Sequence, residues 1–277
     1  MTIPFTKMHG LGNDFVVIDA TQRSFALTST LIRKMSDRRF GIGFDQLLLL
    51  EPPQEEGVDF HYRIFNSDGS EVGQCGNGAR CAGKLIVDSK LVQKSIITLS
   101  TKERQLTVEV KESGLVSVNM GLPKFSPKDI PFNAPQEQLA YPLELEHQTY
   151  FIGVVNLGNP HMVLVVDDVS QVPVKSLGPK LESHPRFPEK VNVGFMQILD
   201  KAHIRLRVYE RGAGETLACG SGACAAMAIG HRQNLLNEHV EVQLNGGKLN
   251  VEWKGGNEPL WMSGPAETVF KGEWLGE

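Results

Sequence analysis

Apolar and polar residues alternate along much of this chain with the two-residue period of half-buried β-strands. In the first half, residues 14–19, 46–51, 59–65, 105–111 and 115–120 form alternating, β-branched or aromatic runs. In the second half residues 150–155, 161–167, 191–199, 203–209, 241–244 and 248–253 do the same. A helical period stands out once in each half. Over 77–88 it aligns Ala79, Ala82, Leu85 and Ile86 on one stripe, and over 221–235 it aligns Cys224, Ala225, Ala228, Ile229 and Leu235. Asn77 and Ser221 are residue types that suit the N-cap of these helices. Between residues 122 and 142, Pro123, Pro127, Pro131, Pro135 and Pro142 interrupt any regular pattern, which predicts a linker.

The two helical segments follow closely related sequence. RIFNSDGSEVGQCGNGA, starting at Arg63, aligns without gaps on RVYERGAGETLACGSGA, starting at Arg207. Arg63/Arg207, Glu71/Glu215, Cys75/Cys219, Gly76/Gly220, Gly78/Gly222 and Ala79/Ala223 are identical pairs. Upstream, Leu11-Gly12-Asn13 is echoed by Leu157-Gly158-Asn159. A repeat offset close to half the chain length is most simply an internal duplication. The expected fold is therefore α+β, with two pseudo-symmetric domains, each a mainly antiparallel sheet wrapped on a central helix. The expected domains are residues 1–119, joined by a C-terminal tail from 265 to 277, and residues 120–264.

Composition narrows the function classes. With 277 residues the chain can bury a sizeable core, and its 41% hydrophobic and 22% charged residues are ordinary for a globular protein. A net charge of -4 lacks the basic surface that phosphate neutralisation requires, which disfavours a nucleic-acid partner. Polar residues, Pro4 and His9 occupy the first ten positions, where a signal peptide carries an apolar run. The longest aliphatic run, residues 47–50, is far short of the ~20 residues of a membrane span. The expected location is the cytoplasm, with no membrane partner. Four cysteines are few for a disulfide scaffold, and the gaps from Cys75 to Cys81 and from Cys219 to Cys224 fit zinc-ligand spacing poorly, so no metal is expected.

Each repeat places a cysteine at the mouth of a glycine-rich helix, as Cys-Gly-(Asn/Ser)-Gly-Ala. Unpaired N–H groups of a first helical turn bind anions, and the helix dipole favours a thiolate. Two such elements related by duplication predict two thiols on opposite faces of one carbon, with both helix N-termini directed at its carboxylate. One thiolate and one thiol can remove and return an α-proton in either direction, and the two dipoles would stabilise the developing carbanion. Pyridoxal phosphate is then unnecessary, and no cofactor is expected.

The motifs KMHGLGNDF (residues 7–15), GIGFDQ (41–46), NSDGSE (66–71), CGNGARC (75–81), GNPH (158–161) and ERGAGETLACGSG (210–222) resemble those of diaminopimelate epimerases, over nearly the whole chain. The resemblance implies interconversion of LL- and meso-2,6-diaminopimelate, a step towards lysine and peptidoglycan precursors, by two α/β domains within a homodimer. It implies catalytic roles for Cys75, Cys219, His161 and Glu210. It implies substrate contacts from Asn13, Gln46, Asn66, Asn159, Asn192, Glu210 and Arg211, with Arg211 forking to a carboxylate, and from backbone N–H groups of Gly76, Asn77, Gly220 and Ser221. Cys81 and Cys224, inside the helices, suit core packing. The enzymatic alternative is a proline or hydroxyproline racemase. Its imino-acid substrate would leave Arg211 and the asparagines without a distal zwitterion. A thiol-redox or metal-binding protein is the alternative from another class.

Overall fold

The computed structural model describes residues 2–276 and divides into two compact units. One comprises residues up to Asn119 together with Gly264 onward, and the other runs from Met120 to Ser263.

In the first unit, β1 (Ile3–Gly10) and β2 (Asn13–Asp19) form a hairpin, followed by α1 (Ser29–Ser36), β3 (Gln46–Glu51), β4 (Phe60–Asn66), the two-residue β5 (Glu71–Val72), α2 (Gly76–Asp88), β6 (Ile96–Ser100), β7 (Gln105–Val110) and β8 (Val116–Gly121). The C-terminal strand Glu267–Trp274 returns to pair with β1. The sheet is mainly antiparallel. Its two parallel pairs, β2–β3 and β4–β6, are those whose connections carry α1 and α2, as a parallel crossover requires. The β1–β2 turn is Leu11-Gly12 with φ of 58° and 87°, the left-handed pair of a tight hairpin, and it delivers Asn13 to the start of β2.

Helix α2 is buried on nearly all sides, at Asn77 through Gly83 and at Leu85 and Ile86. Its small residues permit that depth: a Cβ on Gly83 would stand 2.5 Å from Val108 of β7. A helix apolar over most of its circumference belongs inside a wrapped sheet, and α2 packs on β1, β2, β3 and β7. The opposite face of this sheet is also covered. Ile32 and Met35 of α1 join Val16, Ile18, Leu47, Leu49 and Phe65 in a second core layer. That explains why β3 reads as four successive leucines: Leu47 and Leu49 enter this layer, whereas Leu48 reaches Gly78 of α2.

The second unit repeats this topology. Its elements are β9 (Tyr141–Leu145), β10 (Gln148–Asn156), β11 (Pro160–Val165), α3 (Val174–Glu182), β12 (Asn192–Asp200), β13 (His203–Glu210), β14 (Gly214–Glu215), α4 (Gly220–Arg232), β15 (His239–Leu244), β16 (Gly247–Glu252) and β17 (Leu260–Gly264). Strands β11–β12 and β13–β15 are the parallel pairs, and their connections contain α3 and α4. The expected α+β architecture of duplicated, mainly antiparallel sheets on central helices is what the molecule has.

Three expectations are corrected. The caps of α2 and α4 are Cys75 and Cys219, two residues before the proposed Asn77 and Ser221, and the helices begin at Gly76 and Gly220. The glycine after each cysteine already has helical backbone. Each unit also contains a helix that periodicity missed. Helix α1 has a single inward pair, and α3 hides behind the breakers Gly178 and Pro179. Gly178 is required there, because a Cβ would lie 2.5 Å from the ring of Tyr209. Finally, the proline-rich stretch is not an unpacked linker. Ile130, Phe132 and Tyr141 are buried in the same core as α3, where Phe132 stacks on Phe187 with ring centroids 4.7 Å apart. Among the described residues no helix is long and apolar enough to cross a membrane.

Candidate active site

In the first unit the candidate residues gather where β2 and β3 begin and β4 ends. Gln46 pairs in register with Asn66, and its Nε2 donates to Asn66 Oδ1 at 2.9 Å. Asn77, in the first turn of α2, donates from Nδ2 to Asn13 Oδ1 at 3.0 Å. Cys75, capping that helix, accepts the Gly78 N–H at its Sγ, 3.3 Å away. Gly78 cannot be larger without disturbing this arrangement, because an added Cβ would be 3.1 Å from Leu48 and 3.4 Å from the sulfur.

In the second unit the equivalent ends of β11, β12 and β13 hold the counterparts. His161 is the register partner of Asn192, and its Nε2 bonds to Asn159 Oδ1 at 2.9 Å. Asn192 donates to the Pro160 carbonyl and accepts the Arg211 N–H, each at 2.9 Å. The side chain of Arg211 donates from Nη1 to the Glu189 carbonyl at 3.0 Å, not to a carboxylate, and among the described residues it makes no ion pair. Its charge is thus available to an anionic ligand. Cys219 caps α4 with its Sγ 3.7 Å from Ser221 Oγ, and Gly222 sits so close that a Cβ would be 3.2 Å from that sulfur. The main-chain N–H groups of Gly76 and Asn77, and of Gly220 and Ser221, belong to the first turns of helices, the end of a helix that favours an anion.

The two cysteines differ in burial. Burial pushes the Cys219 thiol well above its ordinary range, and the Glu210 carboxylate beside it adds to the shift by accepting the thiol hydrogen. Thr216 in turn donates its hydroxyl to Glu210 Oε1. Cys75 is only half-buried. Cys81, deep in α2, is pushed up to about 12 by burial, which suits packing and not chemistry. Burial, assisted by the Arg211 charge, holds His161 at about 3, so this ring is neutral at physiological pH.

Several residues around the site carried no recognisable sequence signal. Glu182 of α3 accepts the Gly212 N–H at 2.7 Å, which braces the turn bearing Arg211. Tyr62, Thr101 and Arg104 line the hollow behind Cys75, and Thr101 donates to the Gly73 carbonyl at 2.8 Å. These residues reach the site through tertiary folding, so local patterns do not reveal them. All four cysteines are thiols, and among the described residues no group of three or more His, Cys, Asp or Glu side chains could hold a metal ion.

The fold occurs in solved structures of low sequence identity. A hydroxyproline epimerase from Agrobacterium vitis, with trans-4-hydroxy-L-proline bound, superposes with a TM-score of 0.70 at 14% identity, over 98% of this chain and 92% of that one. A probable proline racemase from Agrobacterium radiobacter K84 gives 0.67 at 16% identity, over 98% and 92%. A PhzF-family phenazine biosynthesis protein from Bacillus anthracis gives 0.68 at 16% identity, over 99% of each chain. The family model for diaminopimelate epimerase matches residues 5–126 and 153–269, which includes both cysteine-capped helices. The chain belongs to the diaminopimelate epimerase family.

Proposed function

We propose that the protein interconverts LL- and meso-2,6-diaminopimelate by a two-base mechanism in which Cys75 and Cys219 serve opposite faces of the α-carbon. The observation that carries this reading is the duplication of one catalytic element. Two helices, Gly76–Asp88 and Gly220–Arg232, begin at equivalent positions of the repeat, and each is capped by a cysteine. The reaction needs one thiol and one thiolate at its start. Cys219, buried beside Glu210, holds its proton and acts first as the acid. Cys75, with the Gly78 N–H on its sulfur, acts first as the base. The reverse reaction exchanges the roles. N–H groups of the two first turns bind the reacting carboxylate and stabilise charge as the carbanion forms.

The carboxamides of Asn13, Gln46, Asn66, Asn159 and Asn192 and the guanidinium of Arg211 match the demands of a substrate with an amino-acid group at each end. Proline and hydroxyproline offer only one such end, which favours the diamino diacid. Neutral His161 stays uncharged near the substrate, so it donates or accepts a hydrogen bond without adding a positive charge. The product would feed lysine and peptidoglycan precursor synthesis.

The test is proton NMR in heavy water at low conversion, starting from each epimer, with proline and hydroxyproline run in parallel. Deuterium should enter the newly formed epimer and be nearly absent from recovered starting material. Cys75→Ala and Cys219→Ala should each lose ~10²–10⁴-fold or more of the rate, the worth of one general acid–base group. Equal early labelling of substrate and product would overturn the two-base mechanism. Turnover of proline but not of diaminopimelate would overturn the substrate.

A further inference from the structure

A charged network in the first unit borders the candidate site without belonging to it. Asp14 accepts Lys7 Nζ at 2.5 Å and both terminal nitrogens of Arg38, at 3.1 and 2.7 Å. Arg38 Nη2 also reaches Asp45 Oδ1 at 2.8 Å. The two carboxylates are tied through the backbone as well, since Asp45 Oδ2 accepts the Asp14 N–H at 3.2 Å and Asp14 Oδ1 accepts the Asp45 N–H at 3.0 Å. At one end Asp45 Oδ2 accepts Asn13 Nδ2 at 2.9 Å. Lys7, 7% exposed, additionally donates to the Gly43 carbonyl, which anchors the other, buried end.

The orientation of the Asn13 carboxamide follows from this. An ionised carboxylate can only accept, so Asn13 must turn its NH₂ towards Asp45 and its oxygen towards Asn77. One hydrogen of that NH₂ is taken by Asp45, and the second then has a fixed direction. Asn77 connects the same carboxamide to the helix that Cys75 caps.

The fold itself does not require the network. The β2–β3 pair, with Phe15 opposite Gln46, is repeated by the β11–β12 pair, with His161 opposite Asn192. The residues preceding those partners are Asp14 and Asp45 in the first unit but Pro160 and Val191 in the second, both buried. The same strand arrangement therefore forms with no charge at either position. In the second unit the carboxamide of Asn159 bonds to His161 instead.

We propose that Asp45, held by Arg38 and Asp14, is a positioning residue that orients the Asn13 carboxamide towards substrate. The proposal rests on the functional reading above for the identity of the substrate, but its geometry is independent of it. A double-mutant cycle tests it, with diaminopimelate kinetics for the wild type, Asp45→Ala, Asn13→Ala and the pair. Asp45→Ala should lower kcat/KM by about tenfold, the scale of one charge-assisted hydrogen bond, chiefly through KM. In the Asn13→Ala background the same substitution should cost less than about twofold, because the group it acts through is gone. An undiminished loss in that background, or no loss in the wild type, overturns the proposal. Should Asp45→Ala not fold, Asp45→Asn takes its place in the cycle. A second readout needs no turnover. The side-chain NH₂ resonances of Asn13, identified by their disappearance in Asn13→Ala, should show two well-separated proton shifts that converge in Asp45→Ala or Asp45→Asn. Unchanged shifts would overturn the proposal even if the wild type proved inactive on diaminopimelate, an outcome that would count against the substrate assignment alone.

Discussion

Replacing Arg207 by methionine removes a fork that the duplication placed twice in the molecule, and the two copies sit at different depths. Arg207 donates to Glu215 from Nε at 2.7 Å and from Nη2 at 3.1 Å, while its Nη1 bonds to the carbonyls of Val169 and Val172, both at 3.1 Å. The side chains are 21% and 14% exposed. Its counterpart, Arg63 with Glu71, makes the same fork at 3.1 and 2.8 Å but is 36% and 27% exposed. Arg207→Met leaves a largely dehydrated Glu215 without its cation and takes one of two donors from each of the Val169 and Val172 carbonyls, which should cost about 3 kcal/mol. Arg63→Met leaves Glu71 within reach of water and should cost about 1 kcal/mol or less. The assay is urea unfolding followed by tryptophan fluorescence and by circular dichroism. The double variant Arg207→Met with Glu215→Met should recover much of the single loss, since no charge is then stranded. Equal costs at Arg207 and Arg63, or a double variant as unstable as Arg207→Met, would refute the reasoning from burial.

Three further outcomes are expected. Burial would raise the Asp14 carboxyl, but the hydrogen bonds and charges of Arg38 and Lys7 outweigh it and hold the group at about 2 against an ordinary 3.8. A depressed carboxyl stabilises the fold above its unfolded pKa and loses that contribution as pH falls through the folded one. Asp14→Asn should therefore cost about 2 kcal/mol near neutral pH and progressively less from about pH 4 down to pH 2, measured by urea unfolding across that range; a constant difference would contradict it. The ring proton shifts of His161 should stay flat between pH 5 and 8 in NMR titrations, because burial keeps the imidazole neutral down to about 3; an inflection near 6.5 assigned by His161→Gln would refute this. Glu210→Gln should move the onset of Cys219 alkylation to lower pH, followed by mass spectrometry of the labelled peptide, because the carboxylate that adds to the upward push on the thiol is removed. An onset unchanged by the substitution would assign the whole shift to burial.

What the sequence by itself determined is mostly what repeats locally. A short apolar run places β3 at Gln46–Glu51, a strand covered on both faces, and alternation places β13 from His203, because a half-buried strand needs an apolar residue at every second position. The small-residue stripes after Cys75 and Cys219 mark the central helices, because only such helices can be buried on nearly every side. The ungapped repeat predicts the duplicated topology that the molecule has. It also names both cysteines as a matched pair.

Tertiary structure decided the rest. Helix α3 forms across Gly178 and Pro179 because packing under Tyr209 outweighs local propensity, a term no window of sequence contains. The proline-rich stretch is ordered because Ile130 and Phe132 meet a core built from residues far along the chain. The cysteines, not Asn77 and Ser221, cap their helices, a choice made by backbone geometry at the strand-to-helix turn. The sequence presents Cys75 and Cys219 as equivalents, yet their surroundings differ. The carboxylate beside Cys219 comes from the end of β13, where the aligned residue of the first unit is Asn66, and the charges that orient Asn13 come from β1, β2 and the segment before β3. A duplicated pattern records which residues recur. The field at each sulfur depends on what folding brings within a few ångströms of it, and there the two halves have diverged.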